Sequence, residues 1–194
     1  MTQSDVFLVL VDAIAGEEAA YAKWFCGVHM ADMRRLAGID RAFAGRLQAL
    51  DGMPPPAQLC GYYETPNCSE LLDTIAANKG TEALPASDLQ GKMVWRVLET
   101  AATLGEARRG EDLAKILICM FNAEHDFAGL CDDLPIAAAR LTRIGSIQPA
   151  RGREYESVLF LWLHEGADPV AHVASIGERL GADGARFLLV SADR

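Results

Sequence analysis

Four segments of the chain are apolar at nearly every consecutive position: VFLVLV (6–11), KILICMF (115–121), VLFLWL (158–163) and RFLLV (186–190). Successive side chains of a strand point to opposite faces, so a sheet with one wet face alternates apolar and polar residues. These segments do not alternate, and each therefore needs cover on both sides. Helices supply cover on one side. A second sheet can supply it on the other, and two such sheets facing each other close, or nearly close, into a barrel.

With 194 residues, 51% of them apolar, the chain can bury a large core as one domain or as two small similar ones. Its 27 acidic residues outnumber 18 basic ones, and such a surface repels phosphate backbones, so nucleic acid is not an expected partner. No apolar run reaches the ~18–20 residues that span a bilayer. The opening Met-Thr-Gln-Ser-Asp lacks the basic start of a signal peptide, so a cytoplasmic location is expected. The five cysteines are odd in number and form no C-x-x-C pair, which argues against a disulfide framework and a structural zinc site.

Read for periodicity and punctuation, the chain gives a strand at 6–12, a helix at 16–36 stopped by Gly38, and a strand at 39–50 bent at Gly45. A turn-rich DGMPPPAQ follows, then a strand at 59–64. Asn67 caps a helix running to about Asn78, Gly80 ends it, and a strand occupies 92–100. The order β-α-β-β-α-β is that of a ferredoxin-like unit. It then repeats: strand 114–122, short helix 124–133 stopped by Pro135, strands 140–148 and 157–164, a helix opened by Asp168-Pro169, and strand 185–192.

The sequence therefore predicts an α+β fold in which two ferredoxin-like units, 1–104 and 113–194, are joined by a linker at 105–111 and pair within one chain as a pseudo-dimeric barrel. At a lag of one hundred, Gly45, Leu47 and Gln48 meet Gly145, Ile147 and Gln148, and Leu59 and Tyr62 meet Leu159 and Trp162. The first helix of the first unit is longer than its counterpart by about two turns at ~3.6 residues each. It carries His29, which has no counterpart in the second unit, so a site built on it occurs once per chain.

The stretch Trp24-Phe25-Cys26-Gly27-Val28-His29, followed by Ala37-Gly38-Ile39 and a strand, resembles the dimeric α+β barrel superfamily and, within it, the EthD-like group. That group carries W-[YF]-D-x-x-H on the first helix, then P-G-aromatic. Trp24, Phe25, His29 and Gly38 match; Cys26 stands for the Asp and Ala37 for the Pro. The resemblance implies a cavity between sheet and helices. Members of the superfamily include small-molecule monooxygenases, lactone isomerases, cyclases, dehydratases and haem-degrading enzymes.

Within this frame the expected catalytic residues are His29 and Asp32, the carboxylate three residues on fixing the tautomer of the imidazole so that its other nitrogen serves as acid or base. Expected substrate-binding residues are Trp24, Phe25, Tyr62, Trp95, Trp162 and His164. Only one of Tyr62 and Tyr63 can face a given side of the sheet. His125 and His172 read as ordinary, and no metal site is expected. The resulting expectation is a cofactor-independent enzyme acting on an apolar, oxygenated small molecule, aromatic or polyketide-like, by dehydration, isomerisation, cyclisation or monooxygenation, as a monomeric pseudo-dimer or a homodimer. The alternatives are a non-catalytic binding or structural barrel and a haem binder.

Overall fold

A computed structural model describes residues 4–105, 115–122, 125–145, 155–181 and 185–191. Its strands are β1 (Asp5–Ala13), β2 (Arg41–Ala49), β3 (Leu59–Thr65), β4 (Gln90–Leu104), β5 (Lys115–Phe121), β6 (Ile136–Ile144), β7 (Ser157–Leu163) and β8 (Arg186–Ser191). They close into one antiparallel barrel in the order β1-β3-β2-β8-β5-β7-β6-β4. The two-faced apolar strands follow from this closure. On one face they fill the barrel with Leu8, Cys60, Leu98, Ile118, Phe160 and Leu188. On the other they meet helices.

The helices are α1 (Glu18–Lys23), α2 (Met30–Met33), α3 (Cys68–Asn78), α4 (Phe127–Cys131) and α5 (Pro169–Leu180), with a π-helical segment, Trp24–His29, joining α1 to α2 in one continuous rod. Local chemistry sets the ends of several. The Asn67 side chain accepts from the Ser69 and Glu70 N–H groups to open α3, and Asp168 accepts from Val170 N–H ahead of Pro169 in α5. Gly38 and Gly80, at φ +87° and +79°, take left-handed conformations that suit glycine. No helix among the described residues is long and apolar enough to cross a membrane.

Both halves show the same strand order, β4-β1-β3-β2 and β8-β5-β7-β6, and their registers match. Val6 pairs with Glu64 and Leu98, as Ile116 pairs with Trp162 and Val190. The two seams agree as well: Leu47 pairs with Val190 across one, and Ile144 with Leu98 across the other. This pseudo-twofold makes Glu64 the counterpart of Trp162 and Tyr62 that of Phe160, not the lag-100 alignment that pairs Tyr62 with Trp162. Ile147 and Gln148 lie outside the described residues, as does the expected linker beyond Gly105.

Two strands differ from expectation. β6 spans Ile136–Ile144 rather than 140–148, because it must lie beside both β7 and β4 with Ala138, Arg140 and Thr142 opposite Trp162, Phe160 and Val158. β4 runs well past Thr100 because it bridges the halves: residues up to Leu98 pair with β1, and those from Leu98 to Leu104 pair with β6.

Candidate functional site

The rod from Glu18 to Met33 lies on the outer face of the first-half sheet. Tyr21, Ala22, Phe25, Met30 and Met33 are buried against it. A regular helix would place His29 directly below Phe25, at i+4. Instead the Met30 N–H donates to the Phe25 carbonyl, five residues back. The wider turn puts Met30, 1% exposed, into the sheet-facing position and leaves His29 half-buried at the edge. Interruptions of this kind inside α-helices recur at functional sites.

There His29 lines a cavity of ≈ 130 Å³ with Phe7, Tyr21, Trp24, Phe25 and Tyr63. The segment that follows α3 closes the cavity with Lys79, Leu84, Pro85 and Gln90. The imidazole is held in an aromatic bracket: its centroid is 5.0 Å from Trp24 and 5.2 Å from Phe25, both near parallel. Tyr21 also stacks on both of these rings.

Two polar atoms in this wall are buried and have no hydrogen-bond partner, His29 Nδ1 and the Tyr63 hydroxyl. Such atoms are rare and costly in native interiors. Burial lowers the His29 pKa to about 4 from its ordinary 6.5, with nearby Asp32 pulling weakly upwards. The ring is therefore neutral at pH 7. Burial pushes the Tyr63 phenol far above its usual range, so it stays a proton donor. Tyr63 lies flat over Gly61 two residues back on the same face: a β-carbon there would stand 2.7 Å from the Tyr63 hydroxyl and 2.9 Å from its Cε2.

The expected His29–Asp32 hydrogen bond is not formed. Asp32 is buried, but its carboxylate is bonded to Arg35, and it acts on the ring only through space. Tyr62 and Trp162 do not join His29 either. They point into the barrel, where Tyr62 packs edge-on against Phe160 and Trp162. The Tyr62 hydroxyl donates to Glu64 Oε1 at 2.9 Å. Trp95 is on the helix-side face beside Phe7, 6.0 Å between centroids, without lining the cavity. His164 is exposed in the turn after β7. Tyr63 is the residue the sequence could only half place, and Tyr21 and the lid residues 79–90 were missed. Tyr21 had a signal, its position four residues before Phe25; the lid had none.

Among the described residues the second half does not repeat the Gly61–Tyr63 arrangement. By the register equivalence, Leu159 stands where Gly61 is and Leu161 where Tyr63 is, and both are buried in a leucine-rich cluster under α4 and α5. Among the described residues no group of three or more His, Cys, Asp and Glu side chains could hold a metal ion. All five cysteines are free, and burial raises the pKa of Cys68 to about 12 and of Cys131 to about 11.

No protein-family model matches the sequence, and no curated protein matches it. Solved structures do match. A protein of Fusobacterium nucleatum subsp. nucleatum, provisionally named a monooxygenase, superposes with a TM-score of 0.58 at 10% identity, over 100% of this chain and 94% of that one. A second such protein, from Lactobacillus acidophilus, superposes with a TM-score of 0.52 at 10% identity, over 98% and 97%. Likeness at this identity is likeness of fold. The shared fold is the closed eight-stranded antiparallel barrel with helices on its outer face.

Proposed function

We propose that the chain is an EthD-like, cofactor-independent enzyme that acts on an apolar, oxygenated molecule about one ring in size, beginning with proton abstraction by His29. The observation that carries this reading is the pairing, in one apolar cavity, of a neutral imidazole with an unpartnered nitrogen and an unpartnered, permanently protonated phenol. A pKa near 4 leaves almost no imidazolium at pH 7, so the ring starts as a base rather than an acid. Tyr63 then donates to the oxygen on which negative charge develops. Deprotonation of a phenol or an enolisable carbonyl is the first step shared by isomerisation, dehydration and oxygenation of an electron-rich anion by dioxygen. Asp32 contributes through its charge, and Trp24 and Phe25 hold the imidazole plane.

The cavity volume sets the size of the substrate. Engineered apolar cavities of about 150 Å³ take up benzene, and this one is slightly smaller. The duplication of a ferredoxin-like unit, with 1–104 keeping the site and 113–194 having lost it, is supported by the matching registers and by the Leu159 and Leu161 replacements. Barrel closure within one chain supports a monomeric pseudo-dimer.

The test is solvent deuterium exchange into a panel of small phenols and cyclic ketones, followed by NMR, with oxygen uptake recorded in parallel. Exchange that His29→Gln lowers by ~10²-fold or more supports the reading. Binding without exchange or turnover would favour the non-catalytic alternative. Oxygen uptake decides between monooxygenation and simple proton transfer.

A further inference from the structure

We infer, on the reading of His29 as a base, that Tyr21 supplies a second hydrogen-bond donor beside Tyr63, so that the cavity suits a one-ring molecule whose anion carries its charge on two oxygens, a cyclic 1,3-dicarbonyl. Tyr21 and Tyr63 both line the cavity, Tyr21 from α1 and Tyr63 from β3, and each is 1% exposed. The Tyr63 hydroxyl has no partner, and the Tyr21 hydroxyl makes no hydrogen bond among the described residues.

Burial is the main cause of the raised Tyr63 pKa, and Cys60 and then Tyr21 add to it, so the Tyr21 oxygen lies within electrostatic reach of the Tyr63 oxygen. Burial also raises the Tyr21 pKa, to about 12, so both phenols keep their protons at pH 7 and stay available as donors. The Tyr21 ring stacks on Trp24 and Phe25, the same rings that bracket the imidazole, which fixes its place beside the base. Besides these three groups, the polar side chains lining the cavity are Lys79 and Gln90, in the segment that closes it. The second half keeps neither phenol among its described residues: α4 contains no tyrosine, and Leu161 stands where Tyr63 is.

A base whose conjugate acid has a pKa of about 4 is weak, and it removes a proton efficiently only from a comparatively acidic C–H group. A carbon between two carbonyls carries such a group. Its C–H bond breaks, the proton goes to His29 Nδ1, and the electron pair spreads over the carbon and the two carbonyl oxygens. Tyr21 and Tyr63 keep their protons and donate hydrogen bonds to that divided charge, bonds that strengthen as the charge develops. A six-membered ring bearing two oxygens suits the ≈ 130 Å³ volume, in the size class that takes up benzene.

Calorimetric titration of the full chain at neutral pH tests this with cyclohexane-1,3-dione, which is ionised there, and with cyclohexanone, which is not. The native chain should bind the dione more tightly than cyclohexanone. Tyr21→Phe and Tyr63→Phe should each weaken the dione by about tenfold or more and cyclohexanone by less than about threefold, because a hydrogen bond to a charged oxygen is worth more than one to a neutral oxygen. Tyr21→Phe keeps the stacked ring, so its melting temperature should equal or exceed the native one. Absence of dione binding by the native chain overturns the inference, as does an unchanged dione affinity in Tyr21→Phe. So does an equal loss for dione and cyclohexanone, which would make Tyr21 a packing residue. The role of His29 is judged separately: His29-dependent deuterium exchange into the phenols and ketones would stand after any of those outcomes, whereas its absence overturns the base itself.

Discussion

At the scale of the residue, His29 links the site to stability. Its folded pKa is about 4 and its ordinary value 6.5. Between those values the unfolded chain binds a proton that the folded chain refuses. Stability from this group is therefore intact above pH 6.5 and falls as pH drops towards 4. The loss reaches roughly 3 kcal/mol below the lower value. Urea denaturation across this range should show a steeper decline for the native chain than for His29→Gln; parallel curves would count against a buried, neutral imidazole. Tyr63 gives a complementary signature. Its hydroxyl has no partner, so Tyr63→Phe should leave stability unchanged or raise it by up to ~1 kcal/mol while lowering turnover. A structural tyrosine would give the reverse. Gly61→Ala forces the Tyr63 ring off the strand and should cost about 1–3 kcal/mol, measured by the same denaturation.

At the scale of the element, the π segment separates helix formation from site formation. Its five-residue spacing from Phe25 to Met30 contains one residue more than an α-turn needs. Deleting Gly27, which is exposed and has no atom near where a side chain would stand, should restore an unbroken α-helix with Tyr21, Phe25 and Met33 still against the sheet. The expected result is a melting temperature equal to or above that of the native chain, with loss of exchange activity because the His29 ring leaves its bracket. Far-UV circular dichroism and the NMR assay check the two halves of that statement. A deletion variant that unfolds would show that the wide turn is needed for packing itself.

At the scale of the whole molecule, closure of the barrel inside one chain leaves no open sheet edge among the described strands. A chain that closes its own barrel is expected to fold without a partner, so the melting temperature should not change with protein concentration; a rise with concentration would mean that association contributes to stability. Among the described residues an ionic cluster sits at one end of the barrel, Glu64 between Arg41 and Arg140, with Tyr62 bonded to the same carboxylate. Glu64→Gln removes the carboxylate charge that Arg41 and Arg140 share and should cost about 3–5 kcal/mol in a denaturation measurement.

Local chemistry alone determined the order of strands and helices, the caps at Asn67 and Asp168-Pro169, the stops at Gly38 and Gly80, and the need for cover on both faces of β1, β5, β7 and β8. It also singled out His29 and the aromatic pair before it. These are legible because they depend on near neighbours: a cap, a turn or a stacked i+4 pair is decided within a few residues. Which face of a strand lines the barrel was not legible where both faces are apolar, because alternation then carries no sign to tell inside from outside. Tyr62 and Tyr63 therefore looked alike, and only pairing of β3 with β1 and β2 sent one to Glu64 and the other to His29. The same holds for Trp162, which closure turned inward, and for Asp32, whose carboxylate went to Arg35 rather than to the imidazole. Such outcomes depend on register and on competing partners brought together from across the fold, and those exist only once the barrel has closed.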